Sequence, residues 1–374
     1  MRIAWFRDTS VDAADPLDDT AALIAELSSA HAIDVVTEGD AHDFVWRHAL
    51  QPWDLCVYEL DDTPPLQFVW AYLLTYPGVA LLKNPHVHHG WGGALSREGR
   101  LEDYLATFRL DDRARRPPPL QVPLYASRVV VVPYAALAHE LQEANAGARI
   151  RFAPLGVTSA PASVPHSHET GALRVAATSE RIAPLDRAAA RARAAGTEID
   201  VMTGVSPAQL LHECDVVVDL SWPPFERTQT SALAAMAAGR ALVILESDAT
   251  ADWPAIDPQT WLPRDAIGPA RPIAVTIDPR DEEHSLMQAL RRLASDRRLR
   301  EQLGQAAQAW WRQQATAQHA AAAWLPVLEE AASVAPPARP AGWPAHLDAD
   351  GTERARASLR EFGVASDLLP TNRA

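Results

Sequence analysis

Residues 215–247, DVVVDLSWPPFERTQTSALAAMAAGRALVILES, bring a carboxylate, hydroxyls and a run of small residues together. The apolar strand at their start ends in Trp-Pro-Pro-Phe, which keeps the next loop extended, so Glu226 is expected to project into a cleft. Thr228, Thr230 and Ser231 then open a helix. Free backbone amides and the positive helix end favour an anion at such a place. The Ala-rich helix allows close packing on a sheet and is closed by Gly239. Read without function, the same residues make a capped helix and a solvated glutamate.

A second stretch, GVALLKNPHVHHGWGG at 78–93, ends an apolar run in Lys83, the only lysine of the chain. Asn84, His86, His88 and His89 follow. Imidazoles are good zinc ligands. No Cys, Asp or Glu stands nearby at metal-ligand spacing, so the expectation is no metal. The histidines are left with two readings: lining a substrate, or capping and packing a helix start.

Positioning these residues falls to alternating elements. RIAWF, AIDVVTE, DLCVYEL, GVALLKN, RVVVVPY and RIRFAPLGV read as strands separated by segments of helical spacing. A second series runs through LRVAAT, EIDVMTG, DVVVDLSW and RALVILES. Short apolar strands alternating with helices predict parallel sheets covered on both faces. The expected fold is α/β, with two doubly wound, Rossmann-like domains facing across a cleft. Residues 1–156 form the first domain, 157–171 a Ser/Pro/His-rich linker and 172–334 the second domain with closing helices. Residues 335–374 form a proline-rich tail with a short helix near 351–362. Ligands of such sheets sit beyond the carboxyl ends of the strands.

The length of 374 residues fits two domains. A formal charge of −14 with scattered arginines excludes a binder of nucleic-acid backbone. Cys56 and Cys214 lie in apolar strand-like runs and read as buried free thiols. A reducing cytoplasm fits them, and the N-terminus opens directly with a strand rather than a signal peptide. The longest apolar run is broken by Pro77 and is too short to span a bilayer. RLDDRARRPPP is a small basic run diluted by Asp111 and Asp112. Peripheral contact with an inner membrane therefore stays open.

The 215–247 stretch resembles the donor-site segment of retaining family 4 glycosyltransferases with the GT-B fold. Their pattern is Glu, seven residues, Glu, then Ala-Met-Ala-x-Gly and a strand. Glu226 matches the first Glu, and Ala235 to Gly239 match the tail. Ala234 stands where the family's second Glu holds the donor ribose, and a shift of one residue would bring Arg227 to the first position. The opening strand, the strands before the linker and the helices near 285–310 agree in order, so the resemblance covers roughly 1–330.

The resemblance implies a metal-independent glycosyltransferase of hexosyl type. It would move a sugar from a nucleotide-sugar donor to an acceptor hydroxyl with retention and need no other cofactor. Bacterial members commonly build surface polysaccharides or glycolipids, which makes a glycan or lipid-linked acceptor the expected partner. Glu226 would hold donor sugar hydroxyls. Arg181, with Ser179 nearby, stands about where the family has an Arg/Lys pair on the diphosphate, joined by the amides around Thr228, Thr230 and Ser231. Lys83 replaces the family's histidine near the anomeric carbon, with Asn84 beside it. It is expected either to stabilise a leaving diphosphate or simply to reach solvent. His88 and His89 match a later histidine pair and would line the acceptor side. The glycine-poor loop RDTSVDAADPLDD offers Asp12, Asp15 and Asp18 to acceptor hydroxyls. Ala234, Lys83-Asn84 and the missing glycines equally suit an inactive GT-B-like scaffold in a glycan-assembly system. A sugar-nucleotide epimerase is a third reading.

Overall fold

The computed structural model describes residues 1–8, 18–63, 66–87, 92–93, 96, 99, 102–103, 120–158, 171–178, 181–202, 211–225, 229–264, 271–348 and 353–364. The expected pair of doubly wound lobes is present. In the first, β1 (Arg2–Phe6), β2 (Ala32–Val36), β3 (Leu55–Leu60), β4 (Val79–Leu82), β5 (Val129–Val132) and β6 (Ile150–Phe152) form one sheet. Its order is β2-β1-β3-β4-β5-β6 and every pairing is parallel. Helices α1 (Asp19–Leu27), α2 (Ala41–Leu50), α3 (Val69–Thr75), α4 (Gln121–Ala126) and α5 (Ala135–Ala144) connect the strands. Runs such as Val129–Val132 are buried on both faces, because a parallel sheet covered by helices leaves its central strands no wet side.

The second lobe holds β7 (Leu173–Ala177), β8 (Ile199–Met202), β9 (Val216–Asp219), β10 (Ala241–Leu245), β11 (Ala255–Ile256) and β12 (Ala274–Ile277). Their order is β11-β12-β10-β9-β7-β8, again all parallel. Helices α6 (Ile182–Ala194) and α7 (Thr230–Ala237) belong to this sheet. The sequence pattern names no strand after RALVILES, yet β11 and β12 extend the sheet there. The two residues of β11 are too few to show a period, whereas β12 is as long as β5 or β9. The long helical region divides into α8 (Glu282–Ser295), α9 (Arg297–Gln314) and α10 (Ala317–Ser333). Asp296 and Thr316 make the breaks by accepting hydrogen bonds from the backbone of Leu299 and His319, at 3.0 and 3.2 Å.

Helix α10 leaves the second lobe and covers the first sheet. Trp324, Val327, Leu328 and Ala331 pack with Ile3, Trp5, Leu23 and Val57. The Trp5 and Trp324 ring centroids are 5.4 Å apart. At the crossing, Gly156 lies so close to Thr316 that an added Cβ would sit 2.4 Å from its carbonyl oxygen. The proline-rich stretch also returns to the first lobe, where Leu347 is buried and Trp343 packs against the core. A short helix, α11 (Glu353–Glu361), follows it. Cys56 and Cys214 are free and buried, and burial pushes their thiols up to about 11 and about 12. No described helix is long and apolar enough to cross a membrane.

Strand order reverses between β1 and β3 in the first sheet and between β7 and β9 in the second. Crevices for ligands open at such switch points, beyond the carboxyl ends of the strands.

Candidate functional site

At the first switch point, five charged side chains converge. Asp18 caps α1, its Oδ1 accepting from the Ala21 amide at 2.8 Å while its Oδ2 accepts from Arg7 Nη2 at 2.6 Å. Asp19 opens the helix and is buried. Glu59, near the end of β3, accepts from Trp5 Nε1 at 3.0 Å and lies 3.5 Å from Arg7 Nε. Lys83, one residue beyond β4, donates to Asp19 Oδ1 and Thr20 Oγ1, both at 3.1 Å, and stands 3.6 Å from Glu59 Oε2.

Burial alone would lower the Lys83 ammonium, but Asp19 and then Glu59 outweigh it and hold the amine above its ordinary range. Burial pushes the Glu59 carboxyl up, although Lys83 and Arg7 oppose it. The cluster counts three carboxylates against two cations.

The second switch point faces it. Arg181, just before α6, donates to the Leu220 carbonyl at 3.1 Å and to Glu282 Oε2 at 3.0 Å. Asp219 closes β9 and accepts from the Ser221 amide and hydroxyl at 3.0 and 2.5 Å. Thr230 begins α7, and its hydroxyl donates to Asp19 Oδ2 at 2.7 Å, joining the lobes. Beside that bond, Phe225 packs against Tyr134 of the first lobe with centroids 4.9 Å apart. Phe225 holds φ at 67°, a left-handed conformation uncommon for a bulky residue. Burial, followed by Asp19, Asp61 and Asp219, pushes the Tyr134 phenol well up.

Of the residues the sequence singled out, Asp12, Asp15, Ser179, His88, His89, Glu226 and Thr228 lie outside the described residues, and Asp18, expected to meet acceptor hydroxyls, has its oxygens on the Ala21 amide and on Arg7. Lys83 and Thr230 are brought together, both on Asp19. Lys83 does not run out to solvent: its side chain is only 17% exposed. Asn84 is buried, and its Oδ1 accepts from the His86 amide at 2.7 Å, so it shapes its own turn. Ser231 is half-buried in the first turn of α7. Arg181 sits at the second switch point, partly exposed. Sequence reasoning missed Asp19, Glu59 and Arg7. The available signal was Glu59 itself, the one charged residue inside the otherwise apolar run LCVYEL. Among the described residues no group of three His, Cys, Asp or Glu could hold a metal ion.

The small-residue motif has a packing explanation. Every residue of α7 except Ser231 is buried. Ala234 is one of them, so this position offers no carboxylate to a ribose. Gly239 ends the helix at φ 67°, the left-handed cap that glycine adopts without cost from a Cβ. Arg240 N then donates to the Ala235 carbonyl at 3.0 Å. Helix α9 crosses directly over this cap, and a Cβ on Gly304 would lie 2.1 Å from the Gly239 carbonyl oxygen.

Neither a protein-family model nor a curated protein matches the sequence. Solved structures do match in shape. WaaG, a glycosyltransferase involved in lipopolysaccharide biosynthesis, superposes with a TM-score of 0.52 at 11% identity, covering 86% of this chain and 99% of its own. HepE of Anabaena, solved in complex with UDP, gives 0.55 at 12% identity over 88% and 100%. The catalytic domain of starch synthase IV from Arabidopsis thaliana, bound to ADP and acarbose, gives 0.58 at 10% over 89% and 99%. The chain has the GT-B fold, with two parallel six-stranded sheets. At these identities the likeness is one of fold.

Proposed function

We propose that the chain is a glycosyltransferase that moves a sugar from a nucleotide-sugar donor to an acceptor hydroxyl with retention, as a divergent relative of family 4. The observation that carries this reading is the meeting of the two switch points at the Asp19–Thr230 bond. It puts the crevices of both lobes of a GT-B fold over one small volume. In this reading Glu226 holds the donor sugar, while Arg181 and the main-chain amides at the start of α7 take the diphosphate. Lys83 is ion-paired with two carboxylates, so its part is to hold Asp19 in place rather than to bind phosphate itself. Orientation and fixed charge would do most of the work. No metal is assigned to the reaction. HepE bound to UDP and the starch synthase bound to ADP make a nucleoside diphosphate donor the natural first test.

The experiment is a melting screen with UDP, GDP, ADP and their common sugar conjugates. A nucleotide at a hundredfold excess over its Kd stabilises a folded protein by about 2.7 kcal/mol. One of them should raise the midpoint clearly, and Glu226→Ala should then abolish turnover with the melting temperature shifted by only a few degrees. No response to any nucleotide would remove the reading.

A further inference from the structure

A cavity of about 370 Å³ opens between the lobes where the chain passes from α9 to α10. Tyr134, Phe152 and Leu155 line it from the first lobe, Leu233 and Trp253 from the second, and Trp310 from α9. Its size and its apolar, aromatic lining are those of a small-molecule site rather than of a solvent channel. It shares three wall residues with a neighbouring crevice. Gln229, Ala249 and Trp253 also line the crevice above the carboxyl ends of β9 and β10, together with Asp219 and Ser221. Asp19 and Thr230 stand in the cavity's own wall.

The lining selects a ligand by charge. Among the described lining residues the ionisable groups are Asp19, Tyr134, Asp252 and His319, with no lysine or arginine. His319 Nδ1 lies 3.0 Å from the Thr316 hydroxyl. Asp19 is already paired with Lys83 and Thr230, so a phosphate or carboxylate placed here would find no lysine or arginine in the lining and would face the exposed carboxylate of Asp252, which disfavours it. Trp253 and Trp310, with centroids 5.8 Å apart and planes inclined at 57°, form an angled aromatic wall. Phe152, half exposed, stands on the first-lobe side. Flat apolar faces pack well on such rings, and Asp252 and Gln314 remain as polar handles for hydroxyls.

We propose that this cavity is the acceptor pocket and that it takes an uncharged, ring-bearing alcohol, such as a pyranoside or a fused carbocycle, in preference to a phosphorylated or carboxylated acceptor. The assignment of its occupant as acceptor rests on the transferase reading. The charge and shape selection does not.

The test uses the full-length chain and two probes of one shape, 4-nitrophenyl glucoside and 4-nitrophenyl glucuronide, with binding followed by calorimetry or ligand-observed NMR. The glucoside should bind at least about tenfold more tightly than the glucuronide. Trp310→Ala and Phe152→Ala, which lie away from the donor crevice, should each weaken the glucoside about three- to tenfold, the range expected for loss of a stacked ring. Both should leave the nucleotide-induced melting shift unchanged. Equal or tighter glucuronide binding overturns the proposal, as does glucoside binding indifferent to both substitutions. Glucoside silence beside an intact nucleotide shift overturns the pocket alone. Ring-dependent glucoside binding in a chain that responds to no nucleotide leaves the ligand class standing and removes the transferase reading.

Discussion

The carboxylate of Asp19 in the first lobe accepts a 2.7 Å hydrogen bond from the hydroxyl of Thr230 in the second. Both ends are buried, so the bond is shielded from water and ties the lobes at the point where their sheets reverse direction. A double-mutant cycle isolates it. Asp19→Ala and Thr230→Ala should show a coupling of about 0.5–3 kcal/mol in urea unfolding, as residues in direct contact do. Strict additivity would mean that the lobes are not held together here.

Lys83 keeps the same cluster tolerable. Replacing it by methionine preserves bulk but leaves Asp18, Asp19 and Glu59 facing Arg7 alone. Removing one partner of a buried ion pair costs about 3–5 kcal/mol, and Lys83→Met should lose stability on that scale. A loss below about 1 kcal/mol, the value of a surface pair, would show that the amine is solvated.

Glu59 sets a pH dependence. Its folded pKa is raised by burial, with Asp19 adding and Lys83 and Arg7 opposing. The folded chain therefore holds this proton more tightly than the unfolded chain. The contribution is fully present below the ordinary carboxylate value of about 4.3 and is lost as pH rises through the raised one. Glu59→Gln balances the cluster at two acids and two bases and removes this loss. Its melting temperature should fall less than that of the native chain between about pH 4.5 and 8, measured in the same buffers.

Arg181 gives a functional prediction. Its pair with Glu282 is partly exposed and contributes little to stability, about 0–1 kcal/mol. A charge-assisted contact with a diphosphate is worth about 1.5–3 kcal/mol. Arg181→Met should thus weaken nucleotide binding roughly ten- to a hundredfold by calorimetry while leaving the melting temperature nearly unchanged. Large unfolding with unaltered affinity would reverse its role.

Gly304→Ala tests the packing account of the small-residue motif. The new methyl would strike the Gly239 carbonyl, part of a backbone that cannot swing away. Overpacking of this kind costs about 1–3 kcal/mol. A neutral effect in thermal unfolding would show that α9 stands off from the cap.

Much of this architecture could be read from the chain. Apolar runs of four to six residues, spaced by helical periods, marked most strands of both sheets, and Ala235 to Gly239 carried a resemblance of which the GT-B fold is borne out. The centre of the cleft was less legible. Asp19 looks in sequence like an ordinary helix-start acid, and Asp18 reads as an acceptor-side acid rather than as the cap of α1. What distinguishes Asp19 is that Lys83 and Thr230 converge on it from 64 and 211 residues away. No local pattern encodes such a meeting. Lys83 was legible as unusual, being the only lysine, but its direction depends on where β3 places Glu59. Strand β11 was missed for the simpler reason that it is short, and β12, no shorter than β5 or β9, was missed without that reason.

The crossing of α10 also bears on how the molecule comes off the ribosome. The first sheet gets part of its apolar cover, Trp324 against Trp5, from a segment synthesised after the whole second lobe. At usual rates of about 5–20 residues per second, β1 waits on the order of fifteen to sixty seconds for that cover. During biosynthesis one face of the first lobe thus stays uncovered until α10 emerges, and Leu347 and Trp343 settle on that lobe later still.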